Sequence, residues 1–179
     1  MEEIQQKFFL IKKTTKKILD IGCAPWSWLQ FSIAQLKKYW VKNYQVIGFD
    51  LKSVDLHLPW LKTYVQDVTE KEKVRAILEE NKIDKFDFIQ SDMAPNTIWL
   101  KDIDAMRAID LLDQTYWLYD ELLSVEWSFV IKVFMWPWFD EFVAKMKKRF
   151  WWKNIKVFKP LSCRQNSKET YVIKLPPNK

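Results

Sequence analysis

The chain has 179 residues, 49% of them hydrophobic and 29% charged, with a net charge of +6 and two cysteines. That length and apolar content predict a single domain over residues 1–179 with a sizeable core, and no run of about 18 apolar residues offers a membrane span. Cys23 and Cys163 are too few for a disulfide framework or a metal site and are expected as small, reduced, buried residues. The first residues lack the form of a secretory signal, so a cytoplasmic protein, with no membrane partner, is expected.

A short apolar run, Ile18 to Ile21, predicts a buried parallel strand. A turn built on Gly22 and Pro25 follows, and then Leu29, Phe31, Ile33, Ala34 and Leu36 recur at helical spacing. Strand, tight turn and helix N-terminus together make a place where a ligand's polar groups meet free backbone N–H groups. Val46-Ile-Gly-Phe-Asp50 reads as a second buried strand, ending in a carboxylate 28 positions after Gly22. An acid there is placed to accept hydrogen bonds from a ribose diol. The pairing points to an adenosine-type cofactor, although Trp26 puts a bulky ring where the turn wants none.

Further along, strands are predicted near 61–65, 86–90, 128–133, 154–158 and 170–174, besides those near 17–21 and 45–50. Helices are predicted near 28–39, 70–81, 103–123 and 139–150. Strand–helix alternation argues for an α/β domain with a mostly parallel sheet. The last two strands are joined by 159–169, too short for a crossover helix, so they should pair antiparallel.

Charge is uneven. Positions 145–179 hold eleven of the 29 basic residues but one acid, Glu169, which leaves the first 144 positions at −4. Lys145, Lys147, Lys148, Arg149, Lys153, Lys156 and Lys159 read either as a phosphate-facing patch or as a solvated helix and strand face. Glycine and tryptophan are also out of proportion: average usage predicts about 12 glycines in this length, whereas the chain has 2 glycines and 11 tryptophans. Trp26, Trp127, Trp136, Trp138, Trp151 and Trp152 sit beside turn-forming or polar residues, where glycine is the natural choice.

Several chemistry-bearing residues fall at predicted strand C-termini, the edge where such sheets bind ligands. They are the Gly22–Trp28 turn, Asp50, Asp67, Asp92 in Ser-Asp-Met-Ala-Pro-Asn96, and Lys132 in Phe129-Val-Ile-Lys-Val-Phe134. A lysine inside so apolar a run is either paired in the interior or reaching out from an edge strand. Asp92 is either part of a site or a turn former ahead of Pro95. His57 is expected at the surface, without a catalytic role.

The segments Asp20-Ile-Gly-Cys-Ala-Pro-Trp-Ser-Trp-Leu-Gln30, Ser91-Asp-Met-Ala-Pro-Asn96, Phe129-Val-Ile-Lys-Val-Phe134 and Ser167-Lys-Glu-Thr-Tyr-Val172 resemble the FtsJ family. The resemblance runs in order from Glu3 to Lys174. It implies a Rossmann-like methyltransferase fold, with a seven-stranded, mostly parallel sheet, one antiparallel strand and helices on both faces. It further implies S-adenosylmethionine as cofactor and 2′-O-methylation of a uridine in large-subunit ribosomal RNA, by a protein expected to be a monomer with ribosomal RNA or the large ribosomal subunit as partner. Carried over by position, Gly22, Trp26 and Trp28 lie on the cofactor loop, Asp50 holds the cofactor ribose, and Asp67 lies by the adenine. Asp92, also beside the cofactor, forms with Lys132 and Glu169 three members of a Lys-Asp-Lys-Glu catalytic set. Lys147, Lys148, Arg149, Lys153, Arg164 and Lys168 are the expected RNA contacts, and no metal is implied. The first lysine of the set should lie in a helix just before Glu3, which the chain's first residues continue, so Met1 is not expected to be the natural start. Trp28 falls on a family tryptophan, whereas Trp26, Trp127, Trp136 and Trp138 fall on family glycines. Most tryptophans are therefore expected to be glycines misread from UGA codons.

In the implied reaction Lys132 is the base and must be neutral when it acts. Burial lowers a lysine's pKa and neighbouring carboxylates raise it, and the sequence sets both influences against each other. Rival readings are a transfer RNA substrate and a non-catalytic RNA-binding protein on a methyltransferase scaffold. A nicotinamide-dependent dehydrogenase is weaker, because Gly22 is the only glycine of the required turn.

Overall fold

The computed structural model describes residues 1–25, 27–95, 98, 100–164 and 166–177. Seven strands form one sheet: β1 (Lys17–Ile21), β2 (Gln45–Asp50), β3 (Leu61–Val65), β4 (Phe86–Ser91), β5 (Leu123–Phe134), β6 (Ile155–Phe158) and β7 (Glu169–Lys174). Their order is β3-β2-β1-β4-β5-β7-β6. All neighbours pair parallel except β7, which runs antiparallel to both β5 and β6. The expected sheet with one reversed strand is therefore present. The short 159–168 connection forces the reversal, since it cannot return the chain to the opposite edge.

Five helices flank the sheet: α1 (Glu2–Phe8), α2 (Ser27–Lys38), α3 (Lys71–Glu80), α4 (Lys101–Leu122) and α5 (Phe139–Phe150). One core joins α3, α4 and α5 to the sheet through Val74, Leu78, Leu118, Phe142 and Met146. The other seats Ile4 of α1 and Leu29, Ile33 and Leu36 of α2 against Ile18, Phe88 and Val130. Both faces are thus covered, which is why β1, β2 and β4 read as continuous apolar runs.

Two departures from the predicted elements have local causes. Helix α1 is absent from the helices predicted along the chain, and only the family resemblance implies one here; Gln5 secures it by donating to the Ile11 carbonyl at 2.8 Å and accepting the Ile11 N–H at 2.9 Å. Strand β5 starts at Leu123, inside the predicted helix, with a register irregularity against β4 between Phe86 and Phe88. Buried Lys174 donates to the carbonyls of Val125 and Trp127 and holds that irregular stretch. As the predicted elements have it, β2 and β3 are joined without a helix. No helix among the described residues is long and apolar enough to cross a membrane. Both cysteines are free, Cys23 buried as expected but Cys163 only half-buried. His57 is exposed beside Asp55.

Candidate active site

The parallel strands deliver their C-termini to one edge, and β7, being reversed, delivers its first residue, Glu169, to the same edge. Gly22 leaves β1 at φ 74°, and a Cβ there would lie 3.0 Å from the Met93 nitrogen. Only glycine combines that φ with so close a backbone approach. The Gly22 N–H donates to the Phe49 carbonyl at 2.8 Å, and the Asp92 N–H to the Ile21 carbonyl at 2.9 Å. The tips of β1, β2 and β4 are thereby tied together.

At the β2 tip, Asp50 Oδ2 accepts the Ala24 N–H at 2.9 Å and Oδ1 accepts the Lys52 N–H at 2.9 Å. The acid holds the turn after β1 in place and keeps acceptor capacity for a diol. Asp67, after β3, accepts from both the N–H and the hydroxyl of Thr69, at 2.9 and 2.7 Å, through one oxygen, Oδ1. Trp26 lies outside the described residues. Trp28 stands in the first turn of α2 with its ring 5.7 Å from that of Tyr171, so it braces the β7 side of the edge.

Lys132 is paired, not reaching to solvent. Its Nζ lies 2.5 Å from Asp92 Oδ1 and 3.1 Å from the Asp92 carbonyl, with only 14% of the side chain exposed. Burial pushes Asp92 above the usual carboxylate range, against the lowering effect of Lys132; nearby Glu169 adds to the rise. Register places Lys132 opposite Tyr171 and Phe134 opposite Glu169. Tyr171 Oη donates to Glu169 Oε1, and Cys163 Sγ lies 3.7 Å from the same oxygen. Burial and the Glu169 charge push the Tyr171 hydroxyl up, so it remains a donor. Tyr171 was missed in the sequence, where its only signal is its place two residues after Glu169.

Asp20 was missed too, although a charge within the run Ile18–Ile21 marks it. Fully buried, it accepts from Gln90 Nε2 at 2.7 Å, and Gln90 in turn accepts from Ser32 Oγ at 2.6 Å. Burial raises its pKa to about 7, helped by Asp92 and Asp50.

The basic residues do not form one patch. Lys147, Lys148 and Arg149 end α5 and Lys153 precedes β6, at the edge opposite to Asp92 and Lys132, because α5 runs back along β5. Arg149 is engaged by Asp120 and Lys145 by Asp113. Arg164 and Lys168 lie on the 159–168 loop at the Lys132 edge, where the Met135 N–H donates to the Lys168 carbonyl.

The 3-2-1-4-5-7-6 sheet, the glycine turn after β1 and acids at the tips of β2 and β3 define a Rossmann-like methyltransferase. The chain belongs to the FtsJ-like methyltransferase family, whose model it matches over residues 1–175. It is 40% identical over 174 residues to the ribosomal RNA large subunit methyltransferase E of Desulforapulum autotrophicum, covering 97% of this chain and 81% of that one. Its fold resembles that of a ribosomal RNA methyltransferase from Plasmodium falciparum, with a TM-score of 0.80 and 23% identity over 98% of this chain and 93% of the other. Human methyltransferase-like protein 13, solved in complex with SAH, is a more distant likeness: TM-score 0.59, 9% identity, covering 98% and 75% of the two chains.

The cofactor is S-adenosylmethionine. The residues present fit it: Asp50 and Asp92 make an acidic edge suited to a sulfonium cation, and the acids at the β2 and β3 tips suit a ribose diol and an adenine amine.

Proposed function

We propose that this chain methylates the 2′-hydroxyl of a uridine ribose in large-subunit ribosomal RNA. The observation that carries the reading is the Lys132–Asp92 pair, 2.5 Å apart and largely shielded from water, at the edge that also bears Asp50 and Asp67. Bound S-adenosylmethionine supplies an electrophilic methyl group. Lys132 Nζ, in its neutral form, takes the 2′-hydroxyl proton as the oxygen attacks. Asp92, through its carboxylate and its backbone carbonyl, fixes the direction in which the amine points. Glu169, steadied by Tyr171, orients the ribose. Alignment is the main catalytic effect in such a displacement. Asp50 holds the cofactor ribose and Asp67 the adenine end, with Gly22 giving the close approach and Trp28 bracing the loop. Arg164 and Lys168 hold RNA backbone beside the reacting nucleotide. Lys147, Lys148, Arg149 and Lys153 meet flanking segments of a large RNA at the far edge, which favours a ribosomal substrate over a compact one.

The test is methyl transfer from S-adenosylmethionine to large ribosomal subunits isolated without this modification, read by nuclease digestion and mass spectrometry. A single 2′-O-methyluridine in the large-subunit RNA is the expected product. Transfer to transfer RNA alone, or binding of RNA with no transfer, would refute the reading.

A further inference from the structure

Among the described residues, six other than glycine hold a left-handed φ: Phe9, Trp40, Asn43, Lys82, Trp138 and Trp151. Three of the six are tryptophan. Each of the three occupies a turn whose geometry has its own demand for glycine.

Trp40 closes α2. Its N–H donates to the Lys37 carbonyl and the next N–H, of Val41, to the Leu36 carbonyl, each at 3.0 Å. That pair of bonds is the Schellman motif, and Trp40, at φ 55°, takes the left-handed place where glycine predominates. Trp138 follows Pro137 in a turn closed by the Phe139 N–H on the Trp136 carbonyl at 3.1 Å. With φ 71° and ψ −1°, it sits at the third position of a type II turn, after the proline that favours the second. That third position requires φ > 0 and so takes glycine or asparagine. Trp151, ending α5, has φ 67° and ψ 127°, outside the small left-handed region open to residues with a Cβ.

The ring of each of these residues does nothing to offset the strain. Trp40, Trp138 and Trp151 are 87%, 45% and 60% exposed, and none belongs to either core. Trp28, Trp60, Trp117 and Trp127, by contrast, all pack against a core. Lys82 occupies the same Schellman position at the end of α3, through bonds to Glu79 and Leu78. A flexible, solvated chain is thus tolerated there, and left-handed φ alone does not identify glycine. Nor does an exposed ring by itself: Phe9, at φ 51° and ψ 49° and 64% exposed, ends α1 in the same conformation. What sets the tryptophans apart is that UGA yields tryptophan in some codes, joined at 138 to the third place of a type II turn and at 151 to a ψ outside the left-handed region.

We infer that positions 40, 138 and 151 are glycine in the protein its native host makes, each specified by UGA, a codon that genetic codes variously assign to stop, tryptophan and glycine. The inference is independent of the substrate. It bears on the site through position 26, between Pro25 and Ser27, which the same codon would make glycine.

Reading the gene codon by codon tests this first: UGA is expected at 40, 138 and 151, and UGG at 28 and 117. UGG at any of the three overturns the inference for that position. Tandem mass spectrometry of native protein then reads the amino acid itself. The tryptic peptide 133–145 reports position 138, and 18–37 reports positions 26 and 28 together. Glycine at 138 supports the inference, and tryptophan there overturns it. In the recombinant chain, the combined variant Trp40→Gly, Trp138→Gly, Trp151→Gly should raise the urea midpoint, whereas Trp117→Gly should lower it. A fall with the triple variant would overturn the strain argument.

Discussion

Replacing Asp20 by asparagine should change stability in a way that depends on pH. Asp20 is fully buried, with one oxygen on Gln90 and the other, Oδ1, lacking a hydrogen-bond partner among the described residues. Its pKa rises from the ordinary 3.8 to about 7, first because burial disfavours the charge. The folded chain therefore holds this proton more tightly than the unfolded chain. Its contribution to stability is complete below about pH 4 and is lost as pH climbs through about 7. At roughly 1.4 kcal/mol per pKa unit, the loss across that window amounts to about 4 kcal/mol. The asparagine amide does not titrate, so the stability of Asp20→Asn relative to the parent should climb by about that amount between pH 4 and pH 8. The amide's unpaired N–H groups add a constant penalty of about 1–3 kcal/mol, which shifts the difference without altering its slope. Urea unfolding of both proteins at several pH values supplies the measurement. A difference that stays flat with pH, or falls, refutes the argument.

Lys132→Ala should cut turnover by about 10²–10⁴-fold, the usual contribution of a general base, while calorimetry finds S-adenosylmethionine affinity nearly unchanged. Asp50→Ala should do the reverse, weakening the cofactor first. Gly22→Ala adds a Cβ 3.0 Å from the Met93 nitrogen at φ 74°; a loss of at least about 1–2 kcal/mol in urea unfolding is expected, together with weaker cofactor binding. Tyr171→Phe removes the donor to Glu169 and should lower kcat several-fold with KM for S-adenosylmethionine unchanged, whereas a merely structural tyrosine would move the melting temperature and leave that split absent. Trp26→Gly should tighten S-adenosylmethionine binding by the recombinant chain, as read by calorimetry; unchanged affinity would show that the indole at 26 is harmless.

The parts of the fold that were legible are those whose signal is local. Buried parallel strands expose neither face, so β1, β2 and β4 show as apolar runs, and the last residue of each run marks the ligand edge from the sequence alone. Lys132 was legible for the converse reason: a charge in such a run needs a partner, and Asp92 is at hand just past the end of the adjacent strand. Helix α1 was legible only through the family resemblance and not from periodicity, because seven residues carry too little of it and the anchor is one glutamine bonded to the backbone of Ile11.

The basic surface shows a different limit. A charge run states how many cations lie close in sequence, not which edge of the sheet they occupy. From Lys132 the chain reaches the ligand edge and turns through Pro137; α5 then carries Lys147, Lys148 and Arg149 down to the far edge. β6 climbs again, so Lys159, Arg164 and Lys168 return to the site. One run of charge is thus divided by a helix and a strand of opposite direction, and α5 and β6, the elements that divide it, were both predicted from the same stretch. Direction along each predicted element was therefore enough to separate the two groups. What no pattern along the chain encodes is the pairing of Arg149 with Asp120 and of Lys145 with Asp113, which already commits part of that charge to packing α5 on α4.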